Sequence, residues 1–204
     1  MRRTKAARAL GALMLTGALA GGCATGDDAV VVGPETFEFV SPDGQIEIHY
    51  DPPAERKPVA TLAGPDLLDP DRTLTVQEDF AGEVVILNLW GQWCGPCRAE
   101  SDDLQRLQEE FEPQGATVFG INLRDPNRQK PVDFVQDNGI TYPSIWDPSN
   151  AAVAALRGFP TSVVPATIIL DKQHRVAAVY LAEITDDELR ETVSELLAEE
   201  VDQT

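Results

Sequence analysis

The stretch Val84-Val85-Ile86-Leu87-Asn88-Leu89-Trp90-Gly91-Gln92-Trp93-Cys94-Gly95-Pro96-Cys97-Arg98 decides the fold. Its first seven residues are apolar except for Asn88, which is typical of a strand buried on both faces of a layered α/β sheet. Beyond the cysteines, Leu104, Leu107 and Phe111 recur at helical spacing and predict a helix. The pattern therefore places a Cys-x-x-Cys pair at a strand-to-helix junction, which is the geometry of a thiol–disulfide redox centre.

The remaining chain predicts an α/β fold with a mixed sheet. Further strands are predicted at 117–122, 166–170 and 176–180, and helices at 131–138, at 149–157 and from the capping box Thr185–Glu188 onward. Near the N-terminus, Phe37–Val40 and Ile46–Tyr50 flank a run of turn residues and predict a β-hairpin. Residues 51–72, rich in Pro, Gly and Asp, predict an irregular connection.

Residues 1–22 predict an export signal. A basic start precedes an apolar stretch of about twelve residues, too short to span a bilayer comfortably. The end, Leu19-Ala20-Gly21-Gly22-Cys23, resembles the lipobox of bacterial lipoproteins, in which the cysteine is acylated and becomes the mature N-terminus; Ala20 stands where Leu is commonest. Lipidation of Cys23 would anchor the protein stably to the membrane through a polar tether at 23–35. The alternative is a plain secretory signal with an incidental cysteine.

The charge balance argues against nucleic-acid binding. The chain has 16 basic and 34 acidic residues and a net charge of −18, whereas phosphate neutralisation needs a basic face. Four basic residues and no acid lie within 1–22, so the rest of the chain has 12 basic and 34 acidic residues, a net −22. This balance predicts a solvated acidic surface, with steering toward basic partners as the sharper alternative.

Cysteine count limits the roles of the Cys-x-x-Cys pair. With Cys23 assigned to lipid, two thiols remain, and no second Cys pair or Cys-His set could complete a zinc site, so no metal and no cofactor is predicted. A structural bridge would close only a four-residue loop and restrain the unfolded chain little. A peroxiredoxin-type peroxidase has Thr three residues and Pro seven residues before its reactive cysteine, where this chain has Gly91 and Leu87. One reversible disulfide is therefore favoured.

The order of the two thiols predicts their roles. Cys94, at the helix N-terminus, is the expected nucleophile, because the unpaired N–H groups and the helix dipole stabilise a thiolate there. Cys97, one turn further along, is the expected resolving thiol. Pro96 suits the first helical turn, and Gly95 leaves room for a partner chain to approach. Trp93 is assigned with Gly95 and Pro96 to substrate binding.

Residues 88–100 resemble the active-site segment of the thioredoxin-like TlpA/ResA/DsbE group of membrane-tethered, extracytoplasmic thiol–disulfide oxidoreductases. The resemblance extends over about 66–200. It implies a thioredoxin fold, a mixed central sheet flanked by helices, at 73–204. The hairpin and connection at 36–72 would precede this domain, and an αβ insertion at about 123–160 would interrupt it.

The resemblance also implies roles for residues outside the thiol pair. Val164-Pro165 matches the thioredoxin-type cis-proline beside the disulfide, where the backbone of Val164 would pair with substrate; an ordinary trans proline is the alternative. Glu100 matches an acidic residue of ResA-like members and would exchange the proton of the resolving thiol. Its alternative is an exposed charge in a first helical turn. Asn88 stands where ordinary thioredoxins carry a buried Asp, so that base is missing.

The implied function is reduction of protein disulfides, for example in apocytochrome c, by a lipid-anchored protein on the outer face of the cell membrane. Electrons would come from a membrane thiol carrier. Two alternatives stay open: an oxidase that introduces disulfides into secreted proteins, and a non-catalytic lipoprotein that binds partners through a thioredoxin groove. The Gly-Pro dipeptide matches thioredoxin, a reductant, but does not by itself set the potential in another scaffold.

Overall fold

The computed structural model describes residues 36–40 and 44–200. The predicted signal, Cys23 and the tether therefore lie outside the described residues. Within them, the strands are β1 (Glu47–His49), β2 (Ala63–Pro65), β3 (Thr73–Thr75), β4 (Val84–Trp90), β5 (Ala116–Leu123), β6 (Ser144–Asp147), β7 (Ala166–Leu170) and β8 (Val176–Tyr180). The α-helices are α1 (Val76–Asp79), α2 (Gly95–Ala99), α3 (Ser101–Phe111), α4 (Gln129–Asp137) and α5 (Asp186–Ala198). No helix in these two ranges is long and apolar enough to cross a membrane.

Six strands form one mixed sheet in the order β1-β8-β7-β4-β5-β6, which confirms the predicted α/β architecture. Strand β4 lies at its centre, parallel to β5 and antiparallel to β7, and β5 is parallel to β6. Every residue of β4 and β5 is buried, which is why both strands have nearly continuous apolar sequences. Strands β2 and β3 pair in a separate two-stranded sheet.

The main sheet buries a core on each face. Leu87 and Leu89 point into one cluster, whereas Ile86 and Trp90 join the other, which also contains the cysteines and the apolar sides of α3 and α5. Because side chains alternate along a strand, Asn88 lies on the cysteine side. The single polar residue of β4 is thus placed beneath the helix that carries the thiols.

The strand pairing brings four chain segments to one edge of the sheet. The carboxyl ends of the parallel strands β4 and β5 meet there, so the segment containing the cysteines lies beside the segment that follows Leu123. Since β7 is antiparallel to β4, and β8 to β7, the start of β7 and the end of β8 reach the same edge. This edge carries the candidate site.

The predicted N-terminal hairpin is wrong. Residues 37–40 form no strand, and β1 pairs instead with β8 at the margin of the main sheet. Phe37 and Phe39 are both buried. The backbone amide of Phe37 donates a hydrogen bond to the Pro58 carbonyl, and that of Phe39 donates to the Arg157 carbonyl. Alternating apolar residues indicate an extended segment, but the strand with which that segment pairs depends on tertiary packing and not on the local pattern.

The segment at 123–160 has the helix and strand that the resemblance implies, α4 and β6, and β6 extends the sheet beyond β5. The helix predicted at 149–157 is only a short 3-10 helix, Ala152–Ala155. The capping box at the start of α5 is confirmed, with the Thr185 amide donating to Glu188 Oε2 at 2.7 Å. The helix that follows the cysteines is divided at Glu100 into α2 and α3.

Candidate thiol–disulfide site

Cys94 and Cys97 form a disulfide, with an S–S distance of 2.05 Å and a Cα–Cα distance of 5.3 Å. Cys94 is the N-cap residue of α2, and its Sγ accepts a hydrogen bond from the backbone amide of Cys97 at 3.2 Å. Both cysteines are buried, Cys97 more deeply. The amide that faces Cys94 Sγ would stabilise negative charge on that sulfur once the bond is reduced.

The loop before β7 faces the disulfide. The Val164–Pro165 peptide bond is cis, and the Val164 carbonyl oxygen lies 3.8 Å from Cys94 Sγ. The two residues between the cysteines, Gly95 and Pro96, are exposed, and a Cβ at Gly95 would meet no atom within 4 Å. The buried sulfur of Cys94 is therefore near a backbone carbonyl, and the residues that follow it are open to solvent.

Trp93 forms an exposed platform directly before Cys94. Its side chain is 46% exposed, yet its orientation is fixed, because the indole Nε1 donates to the Leu123 carbonyl at 3.0 Å. The guanidinium of Arg124 lies 4.4 Å from the ring centroid, a cation–π distance. Gly91 makes this packing possible, since a Cβ there would lie 2.5 Å from the indole nitrogen.

Glu100 is buried beneath the thiols, so the alternative of an exposed helical charge is wrong. Its side chain is 1% exposed, and its two carboxylate oxygens accept hydrogen bonds from Asn88 Nδ2 at 2.7 Å and from the Ile184 amide at 3.1 Å. Burial raises the pKa of Glu100 to about 7, although these two hydrogen bonds act in the opposite direction. A carboxyl group with this pKa can hold or release a proton at neutral pH.

Asn88 acts here as a hydrogen-bond donor. Besides Glu100, its Nδ2 also donates to Thr167 Oγ1 at 3.2 Å, so the amide links β4 with β7 below the disulfide. An amide does not titrate in this pH range, which leaves Glu100 as the acid at this position. Thr167 belongs to the Val164-Pro165-Ala166-Thr167 segment of the predicted motif, but its hydrogen bond was not predicted.

Asp125 is a site residue that sequence reasoning missed. It is buried, and its Oδ2 accepts hydrogen bonds from the Gln92 amide and from Asn122 Nδ2, both at 2.9 Å. Asp125 thereby holds the turn between β4 and Cys94 against the end of β5. No sequence motif identifies an aspartate in a loop. The available signal was Asn122, a polar residue inside an apolar strand.

Two cysteines at the end of the central strand, a cis-proline opposite them and a buried acid below define the class of thioredoxin-like proteins with a Cys-x-x-Cys centre. The chain belongs to the AhpC/TSA family, whose model matches residues 59–179.

Three relatives refine this assignment. A secreted thiol-disulfide isomerase from Corynebacterium glutamicum has 49% sequence identity and a TM-score of 0.78, and the match covers 80% of this chain and 99% of that chain. The thiol:disulfide interchange protein DsbE of Pseudomonas aeruginosa is 30% identical over 147 residues, 70% of this chain and 77% of DsbE. The thiol-disulfide oxidoreductase ResA of Geobacillus thermodenitrificans is 27% identical over 115 residues, 55% of this chain and 63% of ResA. The predicted similarity to the ResA/DsbE group is confirmed, although the match spans less than two thirds of the ResA length.

Proposed function

We propose that this chain is an extracytoplasmic thiol–disulfide oxidoreductase whose Cys94/Cys97 pair exchanges with disulfides of other proteins. The observation that carries the proposal is the position of Cys94. Its sulfur lies at the start of α2, accepts a hydrogen bond from the Cys97 amide and faces the Val164–Pro165 loop, and the next two residues, Gly95 and Pro96, are exposed. The ResA and DsbE names of its relatives support the same chemistry.

In the proposed reaction the reduced protein transfers two electrons. The Cys94 thiolate attacks one sulfur of a partner disulfide, a mixed disulfide forms, and the other partner sulfur leaves as a thiolate. Cys97 then attacks Cys94 Sγ, which re-forms the Cys94–Cys97 bond and releases the second partner thiolate. Glu100, buried one turn beyond Cys97, is proposed to accept the proton that Cys97 loses.

The substrate surface is proposed to consist of the exposed groups around Cys94. Trp93, Gly95 and Pro96 form its outer rim, and Val164 contributes its backbone from the opposite loop. A polypeptide could lie extended along that loop and form backbone hydrogen bonds, a common mode of peptide recognition. The Trp93 indole and the backbone of the Val164 loop can together bind substrates of different sequence.

The direction and location of the reaction belong to the same proposal. We assign the chain to disulfide reduction, for example in apocytochrome c, with a membrane thiol carrier as electron source and a lipid anchor at Cys23. The relatives named DsbE and ResA and the lipobox-like sequence support this assignment. A second candidate is formation or rearrangement of disulfides in secreted proteins, because the relative from Corynebacterium glutamicum carries the name of a secreted isomerase at 49% identity.

The peroxidase alternative has less support. Leu87, at the position of the peroxiredoxin proline, is fully buried in the middle of β4. Gly91, at the position of the threonine, lies against the Trp93 indole, where a side chain does not fit. The hydroxyl that such a peroxidase places before its cysteine therefore has no equivalent here.

Substrate trapping tests the proposal directly. Cys97→Ser leaves Cys94 able to attack but removes the thiol that resolves the complex, so partner proteins should accumulate as mixed disulfides. Cys94→Ser is the matched control and should trap none.

Insulin reduction by the wild type separates an enzyme from a binding module, which would show no turnover. A reduction potential above about −150 mV would contradict the reductase assignment and favour the second candidate.

A further inference from the structure

Two exposed arginines beside Cys94 are exceptions on an acidic protein. Most arginines of residues 44–200 form ion pairs with carboxylates, namely Arg56, Arg72, Arg106, Arg157, Arg175 and Arg190. Arg98 and Arg124 are both exposed and form no ion pair with any residue that the structure describes. Neither guanidinium is thus held by a carboxylate partner among these residues, although the chain as a whole has a net charge of −18.

The fold places one of these charges against Trp93, the residue before Cys94, and the other one helical turn after Cys94. Arg124 follows β5 and lies against the Trp93 ring at 4.4 Å, with a left-handed backbone φ of 56°. Arg98 lies one helical turn beyond Cys94, and its amide donates to the Cys94 carbonyl at 3.3 Å. Arg98 thus lies in the first turns of the short helix that Cys94 caps, and it is exposed.

We infer that this surface, defined by Trp93, Arg98 and Arg124, binds partner segments in which acidic residues flank the reactive cystine. The inference rests on the proposed function and adds a substrate class to it. Guanidinium groups bind carboxylates through paired, charge-assisted hydrogen bonds, and Trp and Arg are the side chains most enriched at interface positions that dominate binding energy.

The acidity of the rest of the molecule does not oppose this contact. At physiological salt the screening length is about 8 Å, so distant carboxylates act weakly on a segment that touches Arg98 and Arg124. Two acids of the site itself, Glu100 and Asp125, are buried and accept hydrogen bonds inside the protein. The steering toward basic partners that composition predicts concerns long-range attraction, whereas this preference arises at contact.

Peptide disulfides of matched design test the preference. Each substrate is a symmetric dimer of a short peptide with one cysteine, flanked on both sides by two Glu, two Ser or two Lys residues. The reduced protein attacks the dimer through Cys94 and releases one peptide thiolate; Cys97 then displaces the second, so two electrons pass from the dithiol to the dimer. The rate of peptide-thiol release is measured at about 0.15 M salt, where screening is strong.

The decisive quantity is the change in the Glu-to-Lys rate ratio between protein variants, because flanking charges also alter the intrinsic reactivity of the peptides. Arg124→Glu and Arg98→Glu should each lower this ratio about tenfold, since an exposed attraction becomes a repulsion. The control is Arg190→Glu, which changes the net charge equally but lies on α5, paired with Glu110 in the last turn of α3. It should leave the ratio within about twofold.

Three results would count against the inference or its basis. An unchanged ratio in both site variants overturns it, and so does an equal fall in Arg190→Glu, which would indicate only net charge. In either case, continued reduction of the Ser dimer leaves the oxidoreductase proposal standing. Failure of the wild type to reduce any dimer or insulin would refute the proposed function and the inference with it.

Discussion

The two sides of the Cys94–Cys97 bond differ in chemistry. On the buried side, Glu100 and Asn88 are enclosed, hydrogen-bonded to one another and almost inaccessible to water. On the exposed side, Trp93 and Arg124 contact each other but leave their outer surfaces open. From this difference we propose a division of roles, in which the inner side sets the protonation of the thiols and the outer side selects the partner segments that reach them.

The largest expected effect concerns the buried carboxyl group. The pKa of Glu100 in the folded protein is about 7, against 4.5 for an ordinary glutamate, so the folded state binds this proton more tightly than the unfolded state. The resulting stabilisation is complete below pH 4.5 and is lost as the pH rises to about 7. We expect the free energy of unfolding of the wild type to fall by about 3 kcal/mol relative to Glu100→Gln across this range.

Denaturant unfolding of both proteins at several pH values measures this difference, with Glu109→Gln, on the exposed surface of α3, as the control. The same Glu100→Gln substitution should also affect function. At pH values above 7 it removes a negative charge near the thiols, so their pKa values should fall. Parallel stability curves for wild type and Glu100→Gln would contradict the first expectation. Unchanged thiol pKa values would end the proposed role of Glu100 in proton transfer.

A smaller effect is expected from Gly120, in the middle of β5 on the buried side. A Cβ there would lie 2.8 Å from Trp90 Nε1 and would overlap the hydroxyl oxygen of Ser144. Gly120→Ala should therefore destabilise the fold by about 1–3 kcal/mol, the usual cost of overpacking. Gly95→Ala, where a Cβ meets nothing within 4 Å, is a matched control for the exposed side. Equal losses of stability in both variants would show that the two sides do not differ in packing.

Sequence reasoning succeeded where local patterns determine the structure. The apolar run Val84–Trp90 became the central strand, and the cysteines lie at its junction with α2. The cis Val164–Pro165 bond was implied by the family resemblance and not by a local pattern. Sequence reasoning failed for the hairpin, because β1 pairs with β8, more than 120 residues away in sequence.

The burial of Glu100 could not be predicted either. An acid early in a helix has the same local pattern whether it faces water or the core, and here the outcome depends on where β8 ends and places Ile184. Arg124 and Asp125 belong to no motif, and they join the site only because β5 runs parallel to β4. Site residues that belong to no motif can be identified only when the strand pairing is known.

An intermediate effect is expected at Asn88, whose side-chain amide connects Glu100 to Thr167 of β7. Asn88→Ala removes a hydrogen bond that lowers the pKa of Glu100, so this pKa should rise above its present value of about 7. The loss of a buried hydrogen bond should also cost about 1–2 kcal/mol of stability. Carboxyl signals followed by NMR across a pH titration measure the pKa, and an unchanged or lower value would contradict the assigned role of Asn88 as donor.

A modest effect on stability and the clearest effect on recognition are expected from Trp93→Ala. The indole is 46% exposed, makes one hydrogen bond to Leu123 and contacts Arg124, so its loss should lower the free energy of unfolding by about 1–2 kcal/mol. The proposed substrate platform is removed, however, so kcat/KM for a protein disulfide should fall about fivefold to tenfold, while the reduction potential of the Cys94–Cys97 pair stays within about 15 mV of the wild type. Glu100→Gln should show the reverse pattern, with altered thiol pKa values and an almost unchanged KM. If Trp93→Ala instead shifted the potential and left kcat/KM intact, the outer side would control the thiols and the division of roles between the two sides would fail.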